Sequence, residues 1–515
     1  MGSVAMNVRT EEIARVLPRQ QPTLHVESKQ SRKKSILFVT SELADLVKVG
    51  GLGDVSAALP RALIARHDIR VLIPGYRKVL ESDHTIRIIG ELGGYAALPP
   101  CRIGRIDLAD GLIVYVVLCP ELYEREGTPY GDEQGRDWPD NHIRFARLGM
   151  AAADIAAGTA CIRWCPELVH ANDWAAGLAP AYMAWREQTT PSIFTIHNLA
   201  YMGLCRPECG PELGLPEEAF SHESMEFYGK LSFIKAGLSY ATHITTVSQT
   251  YAQEITTADF GQGLEGMLKL KVDAGQLSGI TNGIDQSWDP RTDPHLLDGF
   301  SAQRWHGKRV NARYVNQVFG LDDDNGPLFA VVSRLVQQKG IDLTVQIAER
   351  IVAAGGRMAI IGRGEPELEA AVSALATQHP GRIGVRIGFD ETNARRMFAG
   401  SDFLLMPSRY EPCGLSQMYA QRFASLPIAR HTGGLVDTIE DGVTGFLFRE
   451  ASVASYLEAV ERALNVYQHP ELLNAMRCKA MNAPLYWHES VEPYDNLYQQ
   501  LVDEHQARTQ ERSQR

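Results

Sequence analysis

The sequence predicts an α/β protein in which two doubly wound parallel sheets face each other across a cleft. Three observations carry that prediction. At 515 residues the chain exceeds what one ordinary hydrophobic core supports, so two large domains are expected. Twelve short apolar runs alternate with helix-like stretches, six in each half. A polar segment, Asp285–Gly326, separates the two series. Strands alternating with helices in this way build parallel sheets, and ligands bind beyond the carboxyl ends of such strands. Polar and glycine-bearing residues that directly follow an apolar run are therefore the candidate site.

The first series holds Ile36–Ser41, Ile69–Pro74, Leu112–Leu118, Leu168–Ala171, Ile193–His197 and Ile244–Ser248, with an alanine-rich helical stretch at Arg144–Gly158 among the intervening segments. After its first run comes Lys48-Val49-Gly50-Gly51-Leu52-Gly53-Asp54, then a helix-like segment from Val55 to Leu63. Glycines at a strand-to-helix turn let the backbone approach a ligand and aim its N–H groups outward, and Lys48 adds charge where a phosphate would sit. The spacing is neither that of a dinucleotide fingerprint nor that of a P-loop. Asp173 follows the fourth run and is suited either to a site or to capping a helix over Ala175–Trp185. His197 closes the fifth run, where its imidazole or its carbonyl is available, and a satisfied core histidine is the competing reading. Asn282 lies near the junction of the two series.

The second series holds Leu328–Arg334, Met358–Gly362, Val385–Phe389, Phe403–Pro407, Pro427–Ala429 and Phe446–Phe448. Arg334 ends its first run, and Lys339 follows five residues later. A strand-end arginine grips phosphate oxygens bidentately and a nearby lysine adds a point charge. Glu411, after the fourth run, precedes Pro412, Cys413, Gly414 and Leu415 and then a helix start. It suits sugar hydroxyls or, alternatively, the helix dipole, whereas Cys413 reads as a small buried hydrophobe. Thr432-Gly433-Gly434 repeats the arrangement at a second helix start.

Composition narrows the partners. A hydrophobic fraction of 44% and a charged fraction of 22% are those of a globular chain, and a net charge of −11 argues against nucleic acid. No apolar run of about 18 residues occurs, so no membrane span is expected. Residues 1–34 are polar, include Glu11 and Glu12, lack an apolar stretch, and read as a disordered leader rather than a secretory signal. Eight scattered cysteines fit a reducing, cytoplasmic compartment. The spacings Cys161/Cys165 and Cys205/Cys209 invite zinc, but neither has the usual separation and no histidine pair completes a set, so no metal is expected. Nothing in the pattern assigns an oligomeric state.

The motifs K-V-G-G-L-G-D (48–54), H-N-L-A-Y-M-G (197–203), F-I-K-A-G (233–237), T-N-G-I-D (281–285), V-V-S-R-L-V-Q-Q-K-G (331–340), P-S-R-Y-E-P-C-G-L (407–415) and H-T-G-G-L-V-D-T-I (431–439) occur in order. Together they resemble the ADP-glucose-dependent bacterial glycogen synthases, relatives of plant starch synthases, from about Ser35 to Tyr498. The resemblance implies a GT-B fold with a leader at 1–34, an acceptor-side domain at 35–280, a nucleotide-sugar domain at 281–486, a helix at 487–505 that returns to the first domain, and a polar tail at 506–515. It implies retaining transfer of glucose from ADP-glucose to the non-reducing 4-OH of an α-1,4-glucan, without metal or other cofactor. By motif, Lys48, Gly50, Gly51 and Asp54 would serve donor phosphates and cleft closure, and Arg334 with Lys339 would neutralise the leaving diphosphate. Glu411 with the Cys413–Leu415 backbone would hold the donor glucose, and Thr432, Gly433 and Gly434 would bind substrate. His197 would lie beside the anomeric carbon, with Asp173, Asn282 and Tyr130 near sugar or phosphate and Phe389 near adenine.

One position departs from the family pattern: Asn172 stands where a histidine usually precedes the Asp-Trp pair. A maltose-1-phosphate-forming relative would carry a second glutamate eight positions after Glu411, where this chain has Tyr419. A non-catalytic glucan-binding paralogue would have lost some of Lys48, His197, Arg334, Lys339 or Glu411, and all are present.

Overall fold

In the computed structural model, which describes residues 32–514 except Cys161, the apolar runs assemble into two large sheets. The expected leader falls almost wholly outside the described residues. The first half supplies β1 (Ser35–Val39), β2 (Asp68–Pro74), β3 (Arg87–Leu92), β4 (Cys101–Asp107), β5 (Ile113–Leu118), β6 (Leu168–Asn172), β7 (Ser192–Ile196), β8 (Leu204–Cys205), β9 (Glu226–Phe227), β10 (Lys230–Ser232), β11 (His243–Thr246) and β12 (Leu277–Gly279). Nine of these form one sheet in the order β12-β11-β7-β6-β1-β2-β5-β4-β3, and β8–β10 form a small antiparallel sheet beside it. The second half supplies β13 (Leu328–Val332), β14 (Arg357–Gly362), β15 (Ile383–Ile387), β16 (Phe403–Met406), β17 (Leu426–Arg430) and β18 (Phe446–Phe448), ordered β15-β14-β13-β16-β17-β18 and parallel throughout.

Each of the twelve apolar runs is a strand. Strands covered by helices on both faces read as continuous apolar segments, and β1, β6, β7 and β13 are buried almost throughout. The antiparallel β3–β4 edge went unanticipated because its exposed face carries Arg87, Arg102 and Arg105 between the apolar positions. Within Asp285–Gly326 lies a helix, His306–Phe319, masked by polar residues on its buried face. Lys308 there donates to the carbonyls of Ala399, Ser401 and Phe423, which satisfies a buried ammonium group. The expected helix over Ala175–Trp185 is two short pieces, Asp173–Ala176 and Leu178–Trp185, meeting at Gly177.

The order of strands reverses between β1 and β6 in the first sheet and between β13 and β16 in the second. These switch points are where a doubly wound sheet leaves a crevice. The terminal helix, Glu492–Gln514, runs back across the first sheet. Its Tyr498 hydroxyl lies 2.6 Å from Nδ1 of buried His170, and Asp495 lies 2.8 Å from Nε2 of His67. Side-chain bonds also join the two halves directly: Ser248 donates to the Pro412 carbonyl at 2.6 Å, and Thr250 donates to Asp437 through both its amide and its hydroxyl.

Candidate active site

Both switch points open onto one cavity of about 1480 Å³. Of the site residues expected from the motifs, all but Thr432, Gly433 and Gly434 line it.

The wall built by the first half begins after β1. Glu42 accepts the amides of Val49 and Gly50 through Oε2, at 2.6 and 3.0 Å, and the Tyr130 hydroxyl through Oε1 at 2.7 Å. Burial raises its carboxyl above the usual range. The Gly50 amide is therefore already engaged. Lys48 is too, with Nζ 2.7 Å from Asp54 Oδ1. Gly50 itself has an ordinary extended φ of −146°. What the loop requires is close approach: a Cβ on Gly53 would lie 3.2 Å from both Glu42 and Lys48, and one on Gly51 would touch Leu415 of the opposite wall at 3.5 Å.

Beyond β6 and β7 sit the buried polar groups. Asn172 donates to the Val39 and His170 carbonyls at 3.1 and 3.3 Å, which turns its Oδ1 toward His197 Nε2, 3.0 Å away. That network makes Nε2 the protonated nitrogen. Burial lowers the His197 imidazole to about 3, so the ring is neutral at ordinary pH. Asp173 does not cap the 175–185 segment. It holds a left-handed φ of 59°, and its carboxyl faces the backbone N–H groups of Asn198, Trp174 and His197. Burial pushes it up to about 7, and Oδ1 is without a partner. The positive φ is a strain of order 1 kcal/mol or more that this loop network sustains. Asn282 Oδ1 is likewise buried and unpartnered.

The second wall starts after β13. Arg334 donates to the Tyr201 hydroxyl at 3.0 Å and to Gln338 Oε1 at 3.2 Å, and no carboxylate lies within ion-pair distance of it among the described residues. Lys339 Nζ meets Glu411 Oε2 at 2.5 Å, where the Ser408 hydroxyl also donates. Cys413 is a buried thiol raised to about 12 by burial, in keeping with a packing role. Gly414 holds a left-handed φ of 72° that favours glycine, and a Cβ there would also crowd Gln417. Phe389 is 73% exposed at the cavity edge.

Thr432 and Gly433 turn away from the cavity: both donate to Glu254 Oε1, at 2.9 and 3.0 Å. A Cβ on Gly433 would collide with the Glu411 carbonyl, and the Gly434 amide donates to Glu411 and Pro412 carbonyls. These glycines seat the 411–413 segment instead of presenting free amides. Sequence reasoning passed over Glu42, Tyr201 and Gln338. Each was reachable, because Glu42 directly follows the first apolar run and the other two lie inside quoted motifs.

Two family models match the chain: the starch synthase catalytic domain over residues 35–270 and glycosyl transferases group 1 over residues 317–481. Glycogen synthase of Pseudomonas fluorescens (strain Pf-5) is 68% identical over 486 residues, 94% of this chain and 93% of that protein. Glycogen synthase of Pseudomonas aeruginosa (strain PAO1) is 65% identical over 502 residues, 98% of each. Among solved structures, the catalytic domain of starch synthase IV from Arabidopsis thaliana, bound to ADP and acarbose, superposes with a TM-score of 0.82 at 28% identity, covering 92% of this chain and all of that one. Sucrose-phosphate synthase from Thermosynechococcus elongatus has a TM-score of 0.56 at 15% identity, covering 92% of this chain and all of that one, a likeness of fold alone.

Proposed function

The chain belongs to the glycogen synthase family, with the GT-B fold, and from that premise we propose how its two walls divide the reaction. It transfers glucose from ADP-glucose to a glucan. In our reading the acceptor is the non-reducing 4-OH of an α-1,4-glucan, and configuration at C1 is retained. The bond from C1 to the β-phosphate oxygen breaks and the acceptor oxygen bonds to C1. Retention brings that hydroxyl in on the face from which the diphosphate departs, so the phosphate oxygen takes its proton.

The leaving group gathers charge as the bond breaks. Arg334 offers a two-pronged fork held by neutral partners, and Lys339 adds an ammonium, so both stabilise the departing ADP more than the intact donor. Glu411, held through Oε2 by Lys339 and Ser408, keeps Oε1 for sugar hydroxyls. Positive charge develops at C1. A neutral His197 is compatible with it where an imidazolium would oppose it, and Asn172 acts as a positioning residue that fixes the ring's tautomer. Asp173 and Asn282, each with a buried unpartnered oxygen, are suited to accept sugar hydroxyls. Lys48, Gly51 and Asp54 close the phosphate end, with Phe389 at the adenine and Tyr130 near the glucose. The transfer is expected to proceed without added metal. Seven described cysteines are free thiols, which supports a cytoplasmic setting, and the acidic net charge supports a carbohydrate rather than a nucleic acid as the polymer. Among the described residues no helix is long and apolar enough to cross a membrane.

The observation that carries this reading is Arg334, free of carboxylates, sharing one cavity with neutral His197 and the open oxygen of Asp173. A panel of ADP-, UDP- and GDP-glucose against glycogen, maltose and inorganic phosphate tests it. Nucleoside diphosphate release is expected with ADP-glucose and glycogen and no added metal; release only with phosphate and maltose-class acceptors, or none from a folded protein, overturns it.

A further inference from the structure

The cysteine spacing that by itself fell short of a metal site acquires in the fold the partners it lacked. Cys205 ends β8, and Cys209 ends a single 3-10 turn, Pro207–Cys209. His142, in the first turn of the helix Asn141–Ala156, reaches the same place, as does Glu212. One ligand atom from each of His142, Cys209 and Glu212 lies within 4.8 Å of the others, and His142 Nε2 is 3.3 Å from Glu212 Oε2. We propose that these three residues, completed by Cys205, bind one divalent ion of the zinc class and so clasp the rim of the cleft.

The donor set selects the ion. Thiolate and imidazole ligands favour zinc-class metals over calcium or magnesium. Around a tetrahedral zinc, bonds of about 2.0–2.3 Å put ligand atoms roughly 3.3–3.8 Å apart. For His142, Cys209 and Glu212, closing from the present separations takes about 1 Å of side-chain movement at zinc bond lengths, and the 54% exposed Glu212 side chain is free to make it; Cys205, outside that group, travels further. Both thiol protons leave to solvent on binding.

The segment it would tie down matters to the cleft. Cys205, Arg206 and Cys209 line the cavity, yet the short pairing of β8 with β10 is their main link to regular structure. Bridging this segment to the 141–156 helix would stiffen the first-domain rim without entering the transfer chemistry.

Cobalt(II) is the probe, titrated into the reduced full-length protein. We expect one ion per chain with thiolate-to-cobalt charge-transfer absorption, displaced by zinc. The band should vanish in Cys209→Ser, persist in Cys165→Ser, which alters an exposed thiol elsewhere, and bind at least about tenfold more weakly in His142→Ala, a loss that even an outer-shell change produces. His142 is only half-buried, so that variant is expected to fold even if Cys209→Ser does not. Absence of the charge-transfer band, its survival in both Cys209→Ser and His142→Ala, or a Cys205–Cys209 disulfide in protein isolated under reducing conditions overturns the proposal.

Discussion

On the first-domain wall Lys48 is paired with Asp54 and the Gly50 amide with Glu42, whereas on the second-domain wall Arg334 bonds to a tyrosine hydroxyl and a glutamine oxygen. The glycine-lysine loop is the more obvious anion site in sequence, yet its donors are satisfied internally. The arginine after β13 is the group poised for an anion. In the proposed reading an incoming diphosphate would meet Arg334 without displacing a carboxylate, while Lys48 would have to exchange Asp54 for it. That exchange is cheap, because the pair is 30% and 25% exposed and such pairs are worth about 1 kcal/mol or less. On that proposal the first wall would be recruited by the donor and the second would receive it.

The largest expected effect separates the two cations of the second wall. Arg334→Ala should lower kcat/KM by about 10²–10³, the usual loss for an aimed charge on a leaving group, and leave the melting temperature near wild type. Lys339→Ala should lose activity similarly and also melt earlier, since it strands the buried Glu411 carboxylate. Steady-state ADP release and calorimetry on the same preparations check both. Near-normal turnover in Arg334→Ala would break the contrast between the walls.

A smaller effect belongs to the buried carboxyl of the first wall. Asp173 holds its proton up to about pH 7 in the folded chain but only to the ordinary carboxyl range when unfolded. Between roughly pH 4 and 7 the unfolded state alone ionises it, so this group destabilises the fold increasingly as pH rises and fully above 7. The melting temperature of Asp173→Asn relative to wild type should therefore start near zero below pH 4 and climb to a plateau above 7. A difference independent of pH would mean that Asp173 is ionised in the folded protein.

Much of this was legible in the chain. Strands buried on both faces announce themselves as apolar runs, which is why β1, β6, β7, β13 and β16 and the residues just beyond them stood out. The β3–β4 edge did not, because an edge strand with one wet face carries arginines among its apolar positions. Glycine proved ambiguous. Gly433 and Gly434 look like a second ligand turn, but they are there so that backbone can pack against backbone at Glu411. Partners brought together by tertiary structure were beyond reach: nothing local says that Tyr130 would reach Glu42, that Arg334 would find the Tyr201 hydroxyl, or that His142 would approach Cys209.

The contrast between the walls is tested most directly by calorimetric titration of ADP into wild type, Arg334→Ala and Lys48→Ala. The account predicts that Arg334→Ala weakens ADP at least about tenfold more than Lys48→Ala does, a bidentate charge-assisted contact against an exposed one that must first leave Asp54. Equal losses, or a larger one in Lys48→Ala, would contradict it.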